Sequence, residues 1–93
     1  MPVRIFYLMN YFLYILKSNA FDKYYTGFSQ NPHERLKYHN SIEKGFTSRY
    51  RPWNIVFIKG FNTAFEAREA ELKIKKWKSK KMIKKLIQGE IEL

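Results

Sequence analysis

The stretch YFLYILKSNAFDKYYTGFS, residues 11–29, contains two apolar, aromatic runs separated by a short polar segment. Residues 11–17 are typical of a buried strand, and residues 23–28 predict a second strand. Because the connection over residues 18–22 is so short, the two strands are expected to pair antiparallel. The chain therefore begins its predicted fold with a pair of neighbouring antiparallel strands.

Two adjacent tyrosines, Tyr24 and Tyr25, lie in the second predicted strand. Side chains alternate along a strand, so these two rings must point to opposite faces of the sheet. One ring can fill a core, and the function of the other ring then needs a separate explanation. Gly27, in the same strand, indicates either a bulge or a close approach to the backbone.

A short helix and a third strand are predicted next. Asn31 and Pro32 are typical of a helix start, and they predict a helix over residues 32–39. A polar, basic loop over residues 40–52 then leads to a bulky, β-branched strand at residues 53–59. Arg35 and His39 are four residues apart, so they share one face of the helix.

Two further helices close the predicted domain. Thr63 and Glu66 form a capping box at the start of the first. Its buried face is carried by residues at spacings of three and four: Ala67, Ala70, Ile74 and Trp77. Ser79 caps the last helix, residues 80–88, and Gly89 ends it. The order strand, strand, helix, strand, helix, helix predicts an α+β domain, a small three-stranded antiparallel sheet flanked by helices.

The composition indicates a polyanionic partner. The chain has 93 residues, enough for one domain, and its 18 Lys and Arg against 8 Asp and Glu give a formal charge of +10. DNA, RNA and an acidic membrane surface all fit such a charge, and nucleic acid is favoured. The absence of cysteine excludes disulfides and thiolate metal sites, and it agrees with an expected cytoplasmic location.

The N-terminal apolar run, residues 5–16, is broken by Asn10 and is too short to span a bilayer, which takes about 20 residues. No clear cleavage site follows it, so a signal peptide is disfavoured. We expect an N-terminal extension over residues 1–10.

The segment KIKKWKSKKMIKKLI, residues 73–87, holds eight lysines and no acidic residue. Its charges suit sequence-independent phosphate contacts, although a solvated lysine face is an alternative for each residue and a membrane-surface helix is a less favoured one. The predicted nucleic-acid contacts are two loop arginines and five lysines: Arg49, Arg51, Lys75, Lys76, Lys78, Lys80 and Lys81.

Glu71 lies at the edge of the core-facing stripe of its helix. A carboxylate there needs a partner, and both a cation and a basic side chain qualify.

Together these elements resemble the GIY-YIG nuclease superfamily, in particular its small stand-alone members (the UPF0213 type) and the N-terminal domain of excision-repair nucleases. The first motif is Phe12-Leu13-Tyr14 and the second is Tyr25-Thr26-Gly27. The resemblance covers residues 11–88 as the nuclease domain and leaves residues 89–93 as a C-terminal tail. The chain departs from the family at Phe12 and Leu13, where glycine and isoleucine are usual, and at Phe28, where some members have lysine.

The resemblance implies a metal-dependent endonuclease that hydrolyses DNA phosphodiester bonds, in repair or recombination. The implied catalytic residues are Tyr14, Tyr25, Arg35, His39 and Glu71, and Glu71 would also bind Mg²⁺ or Mn²⁺. Tyr25 would position or activate the attacking water with His39 assisting, since a histidine pKa near 6.5 suits a base. Tyr24 would then be the packing tyrosine, and Gly27 would let DNA approach the backbone.

The expected partners are DNA and a targeting protein, with no membrane, because related nuclease modules are usually directed by another domain or subunit. The form of the substrate and the oligomeric state are left open by the sequence. The alternative reading is a non-catalytic nucleic-acid-binding module on the same scaffold, and a protein-binding adaptor is a third.

Overall fold

Three strands and four helices run through residues 9–42 and 44–93, the parts of the chain that this computed structural model describes. The strands are β1 (Tyr11–Ser18), β2 (Tyr24–Ser29) and β3 (Trp53–Phe61). The helices are α1 (Pro32–Ser41), α2 (Phe46–Arg49), α3 (Ala64–Trp77) and α4 (Lys80–Ile87). The expected extension over residues 1–10 lies outside the described residues except for Met9 and Asn10.

The strands form one antiparallel sheet in the order β2-β1-β3. The central position of β1 explains why its apolar run does not alternate with polar residues: the four side chains from Leu13 to Leu16 are at most 1% exposed. Tyr14 pairs with Gly27 of β2, and the ladder to β3 shifts register between Ile15 and Leu16.

Alternation along β1 divides the core between two faces of the sheet. On one face Leu13 and Ile15 pack with apolar side chains of α3 and α4: Ala70, Ile74 and Leu86. On the other face Tyr14 and Leu16 pack with Trp53, and Leu36 of α1 covers this second cluster. Each fully buried Leu or Ile contributes about 2 kcal/mol of transfer free energy. The sheet is therefore stabilised from both sides.

The predicted α+β fold, with a three-stranded antiparallel sheet flanked by helices, is confirmed. Two local predictions are wrong. First, α1 continues to Ser41, and the segment 40–52, which was expected to be a loop, contains the one-turn helix α2. Gly45 precedes α2 with φ 95° and gives it no side-chain cap. A tertiary bond holds this turn instead, since Trp53 Nε1 donates to the Thr47 carbonyl at 2.7 Å.

Second, β3 continues two residues past the expected end at residue 59, to Phe61. Of the two alternatives left open at Gly27, the bulge is excluded, because the β1–β2 register runs through Gly27 unbroken, and the close approach is present. Within the described residues, no helix is long and apolar enough to cross a bilayer.

The end of α1 is fixed to the start of β3 by one amide side chain. Asn40 Oδ1 accepts from the Trp53 backbone N–H at 2.7 Å, and Asn40 Nδ2 donates to the Trp53 carbonyl at 3.2 Å. This pair of bonds imitates a strand partner for Trp53 and fixes the orientation of α1 over the sheet. Nothing in the sequence pattern singles out Asn40 for this task.

Candidate active site

The Tyr14 hydroxyl lies at the centre of the site. Tyr14 comes from the middle strand and is 1% exposed, and its hydroxyl oxygen is 3.1 Å from His39 Nε2. Gly27 lies opposite on β2, where a Cβ atom would come within 2.7 Å of the Tyr14 hydroxyl and 2.8 Å of Cζ. The group that approaches Gly27 closely is thus the Tyr14 phenol.

His39 is held in the last turns of α1 and is 3% exposed. Burial, reinforced by the Arg35 guanidinium, lowers the pKa of His39 from 6.5 to about 4. The expectation of a histidine pKa near 6.5 is therefore wrong for this site. The ring is neutral at pH 7, and its Nδ1 has no hydrogen-bond partner among the described residues.

Tyr25 and Tyr24 lie on opposite faces of the sheet, as their alternation predicts. Tyr25 packs against the cluster of Tyr14, Leu16 and Trp53, whereas Tyr24 packs against the core under α3 and α4. The Tyr25 ring centroid is 4.5 Å from that of His39 and 6.4 Å from that of Tyr14. Tyr25 thus joins the site, and Tyr24 fills the core.

Burial raises the pKa of the Tyr14 phenol. The nearby Arg35 guanidinium partly offsets that rise, while Tyr25 and the Glu71 carboxylate add to it. Tyr14 consequently stays protonated at neutral pH, and its hydroxyl donates to or accepts from His39 Nε2 according to the tautomer of the neutral ring. Arg35 is four residues before His39 on α1, and its guanidinium carbon lies 4.6 Å over the Tyr38 ring.

Glu71 enters from α3, the helix that packs over β1 and β2. Its side chain is 14% exposed, and its Oε2 atom lies 3.1 Å from the ammonium of Lys75, one helical turn away. The basic partner considered for this carboxylate is thus present. No group of three or more metal-ligating side chains occurs among the described residues. A single carboxylate fits Mg²⁺ that keeps its waters and takes substrate oxygens, rather than a closed protein cage.

Some of the basic residues predicted to contact nucleic acid also bind parts of this chain. Arg51 Nη1 donates to the Ile42 carbonyl at 2.9 Å, beside the end of α1. Lys75 contacts Glu71, and Lys80 lies 3.4 Å from Asp22. All seven of these side chains are exposed, including the remaining four: Arg49, Lys76, Lys78 and Lys81.

The sequence of this chain is similar to a known protein family and to a known bacterial protein. The family model described as the GIY-YIG catalytic domain matches residues 10–85. The UPF0213 protein YazA of Bacillus subtilis (strain 168) is 36% identical over 73 residues, which cover 77% of this chain and 73% of that protein.

Proposed function

Since the chain belongs to the GIY-YIG family, a family of nucleases, we propose that it is a metal-dependent endonuclease that hydrolyses DNA phosphodiester bonds in repair or recombination. The observation that supports this best is the buried Tyr14 hydroxyl. It meets His39 at 3.1 Å, and Arg35, Tyr25 and Glu71 are close enough to shift its pKa. A binding surface alone has no need of a phenol fixed in this way.

In the proposed mechanism Arg35 binds the scissile phosphate, because a planar guanidinium matches its oxygens and stabilises the charge that develops on them. Tyr14 keeps its proton. In the His39 tautomer whose Nε2–H donates to the phenol oxygen, the Tyr14 O–H is free to orient the phosphate or the attacking water. A neutral His39 ring with a pKa of about 4 is a poor acceptor for the water proton at pH 7. The role of His39 in this mechanism is instead to hold the Tyr14 hydroxyl in place.

Tyr25 is then the residue that positions and activates the water. With Phe28 next to the second motif, no lysine stands there to take the proton. Tyr25 would position the water by a hydrogen bond, and the Arg35 guanidinium and the bound divalent ion would stabilise the hydroxide that forms from it. Glu71 would hold the Mg²⁺ or Mn²⁺ ion, which supplies Lewis-acid stabilisation of the phosphate and the leaving oxygen.

Glu71→Ala tests the proposal, with Glu69→Ala as the control on the exposed side of the same helix. Single-stranded, duplex and branched DNA are incubated with each protein and Mg²⁺ or Mn²⁺. We expect Glu71→Ala to lose at least about 100-fold in nicking rate while it binds DNA in EDTA as the wild type does, and Glu69→Ala to cut normally. Wild-type cutting by the Glu71→Ala protein would refute the mechanism.

The Lys75 contact is the one observation that favours the alternative, a nucleic-acid-binding module without catalysis, because it gives Glu71 a structural partner. The same assay separates the two functions. A wild-type protein that binds DNA but nicks none of the three substrates with either ion would be such a module.

A further inference from the structure

A second surface feature lies beside the proposed active site. A cavity of about 350 Å³ is lined by Lys23, Gly45, Phe46, Arg49 and Tyr50, and Phe21 flanks it. Phe21 and Phe46 are 51% and 42% exposed, although both sit within a group of aromatic rings. Exposed aromatic side chains grouped in this way indicate a surface that binds a ligand.

The rings are arranged around Tyr50. Phe46 meets Tyr50 with ring centroids 5.0 Å apart and planes at 83°, and Phe21 meets it at 5.3 Å and 77°. Edge-to-face contacts of this kind do not use both faces of each ring, and the exposure of the two phenylalanines leaves ring surface available. Phe46 is also braced by the buried Trp53 at 5.9 Å, which gives a stacked ligand a rigid support.

The charge of the pocket selects an anionic ligand. The Lys23 ammonium lies 5.3 Å over the Tyr50 ring, and Arg49 forms another part of the wall. Asp22, the carboxylate next to Lys23 in the described part of the chain, lies beside Lys80 and Lys84 of α4 and is not among the described side chains that line the cavity. Flat rings that accept a base and cations that accept its phosphate are the two components of surfaces that bind single-stranded nucleic acid.

The pocket lies on the same face of the sheet as the proposed catalytic residues. Tyr50 and Tyr25 both pack against the cluster of Tyr14, Leu16 and Trp53. Lys23 lies one residue before β2 and two before Tyr25, and its ammonium lies over the Tyr50 ring, which packs on this face of the sheet. A strand of DNA whose phosphate is at Arg35 and Tyr25 can therefore place a nearby nucleotide in the pocket.

We propose that this pocket binds an unpaired nucleobase close to the scissile phosphate, stacked on Phe46 with its phosphate at Lys23 and Arg49. The choice of DNA as the polymer rests on the proposed function. It follows that the protein prefers DNA with a single-stranded segment to continuous duplex, because a paired base cannot enter the pocket without leaving its helix.

Binding is measured in EDTA, so that the result does not depend on cleavage. Two oligonucleotides are compared by fluorescence anisotropy: a single-stranded thymidine oligomer and an abasic oligomer with the same number of phosphates. One stacked base is worth about tenfold in affinity, so the wild type should bind the thymidine oligomer about tenfold more tightly. Equal affinity for the two oligomers would refute the proposal.

Variants of Phe46 distinguish the stacking of a base on the Phe46 ring from the packing of Phe46 against Trp53. Phe46→Leu keeps an apolar side chain against Trp53 but removes the ring, and it should lose most of the preference for the oligomer with bases. Phe46→Tyr keeps the ring and should retain that preference. Phe65→Ala removes a phenylalanine that is 71% exposed on α3 and should change nothing. A Phe46→Leu protein with the full preference would also overturn the proposal.

The two proposals can fail separately. A protein that distinguishes the two oligomers but nicks no DNA would refute the nuclease and leave the base pocket intact. A protein whose nicking depends on Glu71 but which binds both oligomers equally would refute only the pocket.

Discussion

Gly27→Ala is the substitution with the most direct structural consequence for the site. The added Cβ would lie 2.7 Å from the Tyr14 hydroxyl and 2.8 Å from its Cζ atom, closer than van der Waals contact allows. Tyr14 is 1% exposed, and its hydroxyl is held by His39 at 3.1 Å, so the ring has little room to move away. We expect the variant to push the hydroxyl out of its position.

The expected cost follows from this overlap. Overpacking by one methyl group in a core costs about 1–3 kcal/mol. A Gly→Ala substitution stabilises a protein by about 0.4–1 kcal/mol where the backbone conformation permits alanine and the space is free. Whether Gly27→Ala raises or lowers the free energy of unfolding therefore tests the contact between the added Cβ and Tyr14. A loss of about 2 kcal/mol lowers the Tm of a domain of this size by roughly 10 °C. A displacement of about 1 Å at the reacting groups costs about 100-fold in rate.

Thermal and urea unfolding measure the first effect, and the nicking assay measures the second. Gly60→Ala is the matched control, because it also introduces a Cβ into a strand, where the nearest atom is the thioether of Met9 at 2.9 Å, on a flexible side chain. We expect Gly60→Ala to be milder in both assays. If Gly27→Ala unfolds at or above the wild-type temperature and cuts normally, the account of the Tyr14 position is wrong.

Two further predictions concern charge. The pKa of folded His39, about 4, lies below its unfolded value of 6.5, so the unfolded chain binds more protons between these pH values. The free energy of unfolding should therefore fall by up to about 3 kcal/mol as the pH drops from 6.5 to 4, and His39→Gln, unlike exposed His33→Gln, should flatten this dependence in urea titrations. Lys75→Gln frees the Glu71 carboxylate from an ion pair worth about 0.2–1 kcal/mol. It should tighten Mn²⁺ binding about two- to fivefold by calorimetry relative to Lys76→Gln, and weaker binding would contradict the role of Glu71.

The strands and the long helices could be predicted from sequence because their signals are local. The apolar run of β1, the Asn31–Pro32 helix start and the Thr63–Glu66 capping box each specify an element within a few residues, and the structure contains all three. Helix α2 could not be predicted in this way. Its single turn depends on the bond between Trp53 Nε1 and the Thr47 carbonyl, a tertiary contact that leaves no periodic pattern in the sequence.

The features of the candidate site likewise fall into those set by local sequence and those set by tertiary contacts. Spacing was enough to put Arg35 and His39 on one helix face and to separate Tyr25 from Tyr24. The pKa of His39 depends instead on how deeply the His39 side chain is buried between α1 and the sheet. Composition and spacing do not specify that burial. The position of Tyr14 beside Gly27 depends on the pairing register of β1 with β2. Such features are set by packing between elements.

The burial of Tyr14 makes its contributions to stability and to catalysis difficult to separate. The ring forms part of the core with Leu16 and Trp53, while its hydroxyl belongs to the proposed active site. A substitution such as Tyr14→Ala would lower both, and the loss of activity would say nothing about the hydroxyl. Tyr14→Phe keeps the packing and removes only the oxygen, although it leaves His39 Nε2 without that partner in a buried site. Tyr25 and Arg35 are more exposed, so substitutions there report on the chemistry with less effect on the fold.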